Sequence, residues 1–93
     1  MTDAASAVLL ENASATGNPV FYPGGLGVIS VVLTGGNVTI EQLGPDNTTW
    51  LAVTGALTSS SRSPNNNLAP GQYRAAVAGG ATGVWARIDR VPY

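Results

Sequence analysis

The chain has 93 residues, a formal net charge of -1, 10% charged residues, 12 Gly, 6 Pro, and neither Cys nor His. That length holds one domain, 1–93, and the missing residue types exclude a disulfide framework, thiolate zinc sites and His-dependent catalytic triads. All four cations are arginines, Arg62, Arg74, Arg87 and Arg90, and with five carboxylates against them the chain has no field for phosphate backbones or anionic membranes.

At 44% hydrophobic the composition supports a folded core, and no apolar run approaches the roughly 18 residues of a membrane-spanning helix. The start, Met1-Thr2-Asp3-Ala4-Ala5, lacks the basic flank of a signal peptide, so a soluble chain not exported by a signal is expected. Small folds without disulfides or metals often rely on a subunit interface. Lys, the usual device that keeps sheet edges apart, is absent, which suits a surface covered in an assembly. A Ser/Thr/Asn-rich surface that is simply soluble is the alternative.

Short apolar runs between Gly, Pro and Asn predict an all-β chain: a single small antiparallel β-sandwich, jelly-roll or immunoglobulin-like, of about seven to eight strands. Residues 3–11 read as a strand, with an Asp3-capped helical turn as the alternative. Asn18-Pro19-Val20-Phe21-Tyr22 is extended and ends at the chain reversal Pro23-Gly24-Gly25, with one ring of Phe21 and Tyr22 inward and the other outward. The run 27–34 is apolar on both faces, as in a central strand covered on two sides. After Gly35-Gly36-Asn37, Val38 and Ile40 point inward while Thr39 and Glu41 stay wet. The turn Gly44-Pro45-Asp46-Asn47 joins this strand to 48–53 as a hairpin, and Trp50, opening an apolar strand, is read as core. Residues 55–67 read as a long polar loop with a short strand near Ala56-Leu57-Thr58.

Pro70-Gly71 turns the chain into a strand where Tyr73, Ala75 and Val77 share the core face and Arg74 and Ala76 the other. Gly71 and Tyr73 are structural candidates, since the spacing is that of a tyrosine corner, in which the hydroxyl bonds to backbone a few residues upstream. A half-buried Tyr after a turn is the plainer reading. In the last strand Val84, Ala86 and Ile88 are buried, and Trp85, Arg87 and Asp89 face outward; a one-residue slip would reverse this and put Trp85 in the core.

Interface anchors are enriched in Trp and Arg, so Trp85 and Arg87, with Tyr22 and Arg74, are the partner-binding candidates. Trp85 also suits a sugar-stacking platform if Tyr22 or Tyr93 is exposed beside it. Gly24-Gly25-Leu26-Gly27 lacks the spacing and Lys of a phosphate loop, and Asp46 with Asn47 falls short of a Ca²⁺ ligand set. No metal, cofactor or catalytic residue is assigned, and no enzyme activity is expected.

The succession Leu9-Leu10-Glu11-Asn12-Ala13-Ser14-Ala15-Thr16-Gly17, Tyr22-Pro23-Gly24-Gly25, the run from Gly36-Asn37-Val38-Thr39 through Gly44-Pro45-Asp46-Asn47 to Trp50, and Leu68-Ala69-Pro70-Gly71-Gln72-Tyr73-Arg74-Ala75 resembles small proteins of tailed bacteriophages. It covers most of the chain in order. The resemblance implies a β-sandwich virion component, assembled in the bacterial host cytoplasm. Its roles are capsid decoration or cement, or completion of head and tail. The implied partners are the major capsid protein or other virion proteins and further copies of the chain, a trimer among them, but neither nucleic acid nor membrane. A tail- or fibre-associated or carbohydrate-binding recognition module is the alternative. Asn47 stands where Gly often follows Asp46, which implies a looser hairpin turn.

Overall fold

A computed structural model describes residues 6–90. Eight strands follow in order: β1 (Ser6–Ala13), β2 (Val20–Tyr22), β3 (Gly25–Thr34), β4 (Asn37–Leu43), β5 (Trp50–Ala52), β6 (Ser61–Leu68), β7 (Gly71–Ala78) and β8 (Thr82–Arg90). They form two four-stranded antiparallel sheets, ordered β1-β8-β3-β6 (sheet I) and β2-β7-β4-β5 (sheet II). Four of the pairings, β1 with β8, β2 with β7, β3 with β6 and β4 with β5, are rungs of one long antiparallel ribbon. Rolling that ribbon up adds β3 to β8 and β4 to β7 and closes each sheet. This is the jelly-roll form of the sandwich.

The alternation of β4, β7 and β8 builds the core as the sequence requires. Val38 and Ile40, with Tyr73 and Ala75, of sheet II are buried facing Leu9, Ile29, Val31 and Leu33 of sheet I, and Val84, Ala86 and Ile88 of β8 are buried beside the latter. Each fully buried Ile or Val contributes about 1.5–3 kcal/mol relative to exposure. No buried residue is polar or charged among the described residues, so packing, not internal charge, holds the two layers together.

Tyr73 forms the tyrosine corner, its hydroxyl donating to the Ala69 carbonyl at 2.6 Å. Tyr22 meets Tyr73 edge-on at 5.8 Å between ring centroids. Its own hydroxyl points to the Leu26 carbonyl at 3.4 Å. Gly27 makes room for that ring, because a Cβ there would lie 2.7 Å from the Tyr22 hydroxyl. Gly36 is required for a second reason: its φ is +56°, and a Cβ would collide with the backbone of Ala78 and Ala81 where the chain crosses from sheet I to sheet II.

The structure corrects five expectations. Residues 61–67 of the expected 55–67 loop belong instead to strand β6, paired with β3 from Gly25–Leu68 to Val31–Ser61. An edge strand is held by backbone hydrogen bonds and needs no apolar alternation, so this polar segment carries no hydrophobic signal. The short strand expected near 56–58 is reduced to a bridge between Leu57 and Val38. Strand β3 is central but covered on one side only, since a two-layer sandwich buries one face per sheet, and Val32 is therefore exposed. Trp50 is half-buried on the outer face of sheet II instead of in the core, because it pairs with Leu43 on the β4 side that carries Glu41. The β4–β5 turn is also tight. Asn47 itself adopts φ +62°, and Gly44 N–H donates to Thr49 O at 2.7 Å. The Asp46 carboxylate accepts the Thr49 hydroxyl at 2.6 Å and the Thr49 and Thr48 amides at 2.9 and 3.0 Å. Those bonds, the Thr49 hydroxyl first, hold its carboxyl well below the usual carboxylate range.

Candidate partner-binding face

The outer face of sheet I is built in rows by the strand register. One row runs Val8, Arg87, Ser30, Arg62 across all four strands, and the next places Trp85 beside Val32. Glu11 falls near that second row, between the Leu10–Ala86 and Ala13–Val84 pairs, where β1 is bulged. The bulge after Val8 leaves both Leu9 and Leu10 buried while Val8 stays outward. Val8, Val32 and Trp85 are 43, 52 and 47% exposed, large values for apolar side chains clustered on one surface. Together with Leu10, Ala86, Glu11, Arg62 and Arg87 they line a shallow open groove of about 470 Å³.

The charges around this groove are incompletely used. Arg87 Nε donates to Asp89 at 2.9 Å along the same strand. Arg62 Nε donates to the neutral Ser30 hydroxyl at 3.1 Å. Among the described residues neither Arg62 nor Glu11 has an ion-pair partner. They lie on opposite edge strands, three strand spacings or about 14 Å apart, too far to meet within one chain.

The outer face of sheet II is arranged differently. Arg74 Nε donates to Glu41 Oε1 at 2.8 Å, and its guanidinium lies 4.3 Å from the centre of the Trp50 ring. Phe21 protrudes from the short edge strand β2 at 58% exposure.

Of the four residues singled out for partner contact, Trp85 and Arg87 therefore share sheet I, Arg74 is engaged on sheet II, and Tyr22 is excluded because it is fully buried. The inward and outward members of the Phe21–Tyr22 pair are Phe21 out and Tyr22 in. A sugar platform loses Tyr22 for the same reason, and Tyr93 lies outside the described residues. Burial pushes the Tyr22 and Tyr73 hydroxyls above their ordinary pKa, with Arg90 opposing the shift at Tyr22 and each ring sitting in the other's environment at Tyr73.

Sequence reasoning missed Val8, Val32, Glu11 and Arg62. The signal for Val32 and Arg62 was available only by placing β6 next to β3 and restricting burial to one face. No group of three or more Asp or Glu residues able to hold a metal converges among the described residues. Comparison with known protein families, curated proteins and solved structures yields no match to this chain.

Proposed function

We propose that the chain is a non-enzymatic structural protein of a bacteriophage virion, a capsid decoration or cement protein that stabilises the shell by binding between capsid subunits. The observation that carries this reading is the outer face of sheet I, where Val8, Val32 and Trp85 are exposed together beside arginines. A face of this make-up suits a buried contact with a protein surface, with Trp and Arg as anchors. The bacteriophage resemblance supplies the virion setting. Jelly rolls serve viral capsids and lectins alike, so the fold by itself does not choose between them.

Strand edges favour docking through a face. β1 is twice bulged, β2 and β5 span three residues each, and β6 carries Pro64, which lacks a backbone donor. These features blunt the edges without Lys. Binding between subunits stabilises a shell because separating them also breaks the contacts of the bound protein.

The test is to mix the protein with shells of the capsid protein encoded in the same genome, pellet them and measure the temperature at which they open. Co-pelleting and a raised opening temperature are expected, both lost in Trp85→Ala. Shells that neither retain the protein nor gain heat resistance contradict the proposal. The groove beside Trp85 keeps a recognition module on a tail or fibre as the second reading, which glycan binding without shell binding would establish.

A further inference from the structure

We infer that the outer face of sheet I is where two copies of the chain meet, face to face about a two-fold axis running along the strands between β3 and β8. This rests on reading that face as a docking surface and names a second copy as its occupant, so that capsid subunits are met by the paired chains and shell binding depends on Trp85 through the pairing.

The argument is one of self-complementarity. In the order β1-β8-β3-β6, such an axis lays β8 of one copy over β3 of the other and β1 over β6. Trp85 of each copy then covers Val32 of the other, so the two largest exposed apolar groups of the central strands shield one another. The same operation brings Glu11 of one copy above Arg62 of the other, twice, because a two-fold contact repeats every pair. Glu11 stands one side-chain row from Arg62 along the strands, about 7 Å, an offset that a long Arg side chain spans. Glu11 and Arg62, neither of which has an ion-pair partner among the described residues, are thus matched between copies.

Charge balance agrees. The face carries Arg62 and Arg87 against Glu11 and Asp89, so it is neutral and does not repel its own copy. The area is adequate as well: a standard interface takes roughly 800 Å² per partner, about a sixth of the 5108 Å² accessible surface, or about one face of a four-stranded sheet. Sheet II offers no such match, since Arg74 is already spent on Glu41 and Trp50.

The decisive experiment uses charge reversal on the full chain, read by light scattering over a range of concentrations with circular dichroism to confirm folding. The wild type is expected at twice the 9.4 kDa chain mass. Glu11→Arg and Arg62→Glu, each placing like charges opposite one another at two points, should each associate at least tenfold more weakly. An equimolar mixture of the two variants should regain the dimer, because the mixed pair satisfies both contacts, and so should the double variant E11R/R62E. A wild type that stays at one chain mass, a stable mass of three chains, or a mixture of folded variants that stays monomeric overturns the inference. Shell pelleting is scored separately. A monomer that still pellets with shells sinks the two-fold contact alone, and a dimer that ignores shells sinks the virion role alone.

Discussion

On sheet II an Arg, a Glu and a Trp satisfy one another: Arg74 bonds Glu41 at 2.8 Å and covers the Trp50 ring at 4.3 Å. On sheet I the same three residue types stand apart. Arg62 and Glu11 sit on opposite edge strands with Trp85 exposed between them. Composition alone does not separate the two faces, because each has one Trp and at least one Arg. What separates them is register. Sheet II places its Arg and Glu as direct cross-strand neighbours, Glu41 opposite Arg74, while sheet I sets Glu11 and Arg62 on its two opposite edge strands. The first arrangement closes a surface, and the second leaves it open for an outside partner.

This contrast can be broken experimentally. Trp85→Ala should weaken association by about 2–4 kcal/mol, the range of a central interface anchor, while urea unfolding of the isolated chain moves by no more than about 0.5 kcal/mol. A large loss of fold stability would instead mark Trp85 as a core residue. The seam beneath both faces should behave in the opposite way: Tyr73→Phe should cost about 1–1.5 kcal/mol of stability by removing the short bond to the Ala69 carbonyl, which keeps only the longer 3.4 Å bond from Gln42 Nε2, with association unchanged. Tyr22→Phe should cost less, since its bond to Leu26 is longer at 3.4 Å.

A smaller effect is expected on sheet II. Arg74→Ala should lower stability by about 1 kcal/mol through loss of the Glu41 pair and the Trp50 contact, and leave the solution mass as it was. Arg62→Ala should do the reverse, and equal stability losses in both would erase the distinction between the faces.

Alkaline pH sharpens the comparison last. Burial raises the Tyr22 and Tyr73 pKa values above the ordinary 10.0, so the folded state holds their protons more tightly than the unfolded chain does. Their contribution is fully present below pH 10 and is lost as pH rises through the folded values. Urea midpoints should therefore fall above pH 10, and the fall should shrink in the double variant Tyr22→Phe with Tyr73→Phe. An unchanged slope would remove the tyrosines from the account.

Much of the sandwich is legible residue by residue. The alternations of 38–41 and 84–89 carry their own burial pattern, and Tyr73 after Pro70-Gly71 carries the corner. Strand β6 is invisible because a run of Ser, Arg, Pro and Asn carries no apolar alternation to advertise it. The choice between Phe21 and Tyr22 is equally undetermined in a three-residue strand; it is made by the space over Gly27, a contact with a different strand. Trp50 is misplaced by the same kind of error, since a strand entered from a turn can put its first residue on either face until its partner's register is known. Two residues of the candidate site, Trp85 and Arg87, follow from alternation in β8. The other four, Val8, Val32, Glu11 and Arg62, come from three other strands and meet only once the ribbon is rolled.

Because each face carries a single Trp, the most direct measurement is acrylamide quenching of two single-Trp chains, Trp50→Phe reporting Trp85 and Trp85→Phe reporting Trp50, alone at high dilution and after addition to shells. The account predicts that Trp85 becomes shielded on assembly while Trp50 is quenched to the same extent in both states. Shielding of Trp50 with Trp85 left open would contradict it and move the docking surface to sheet II.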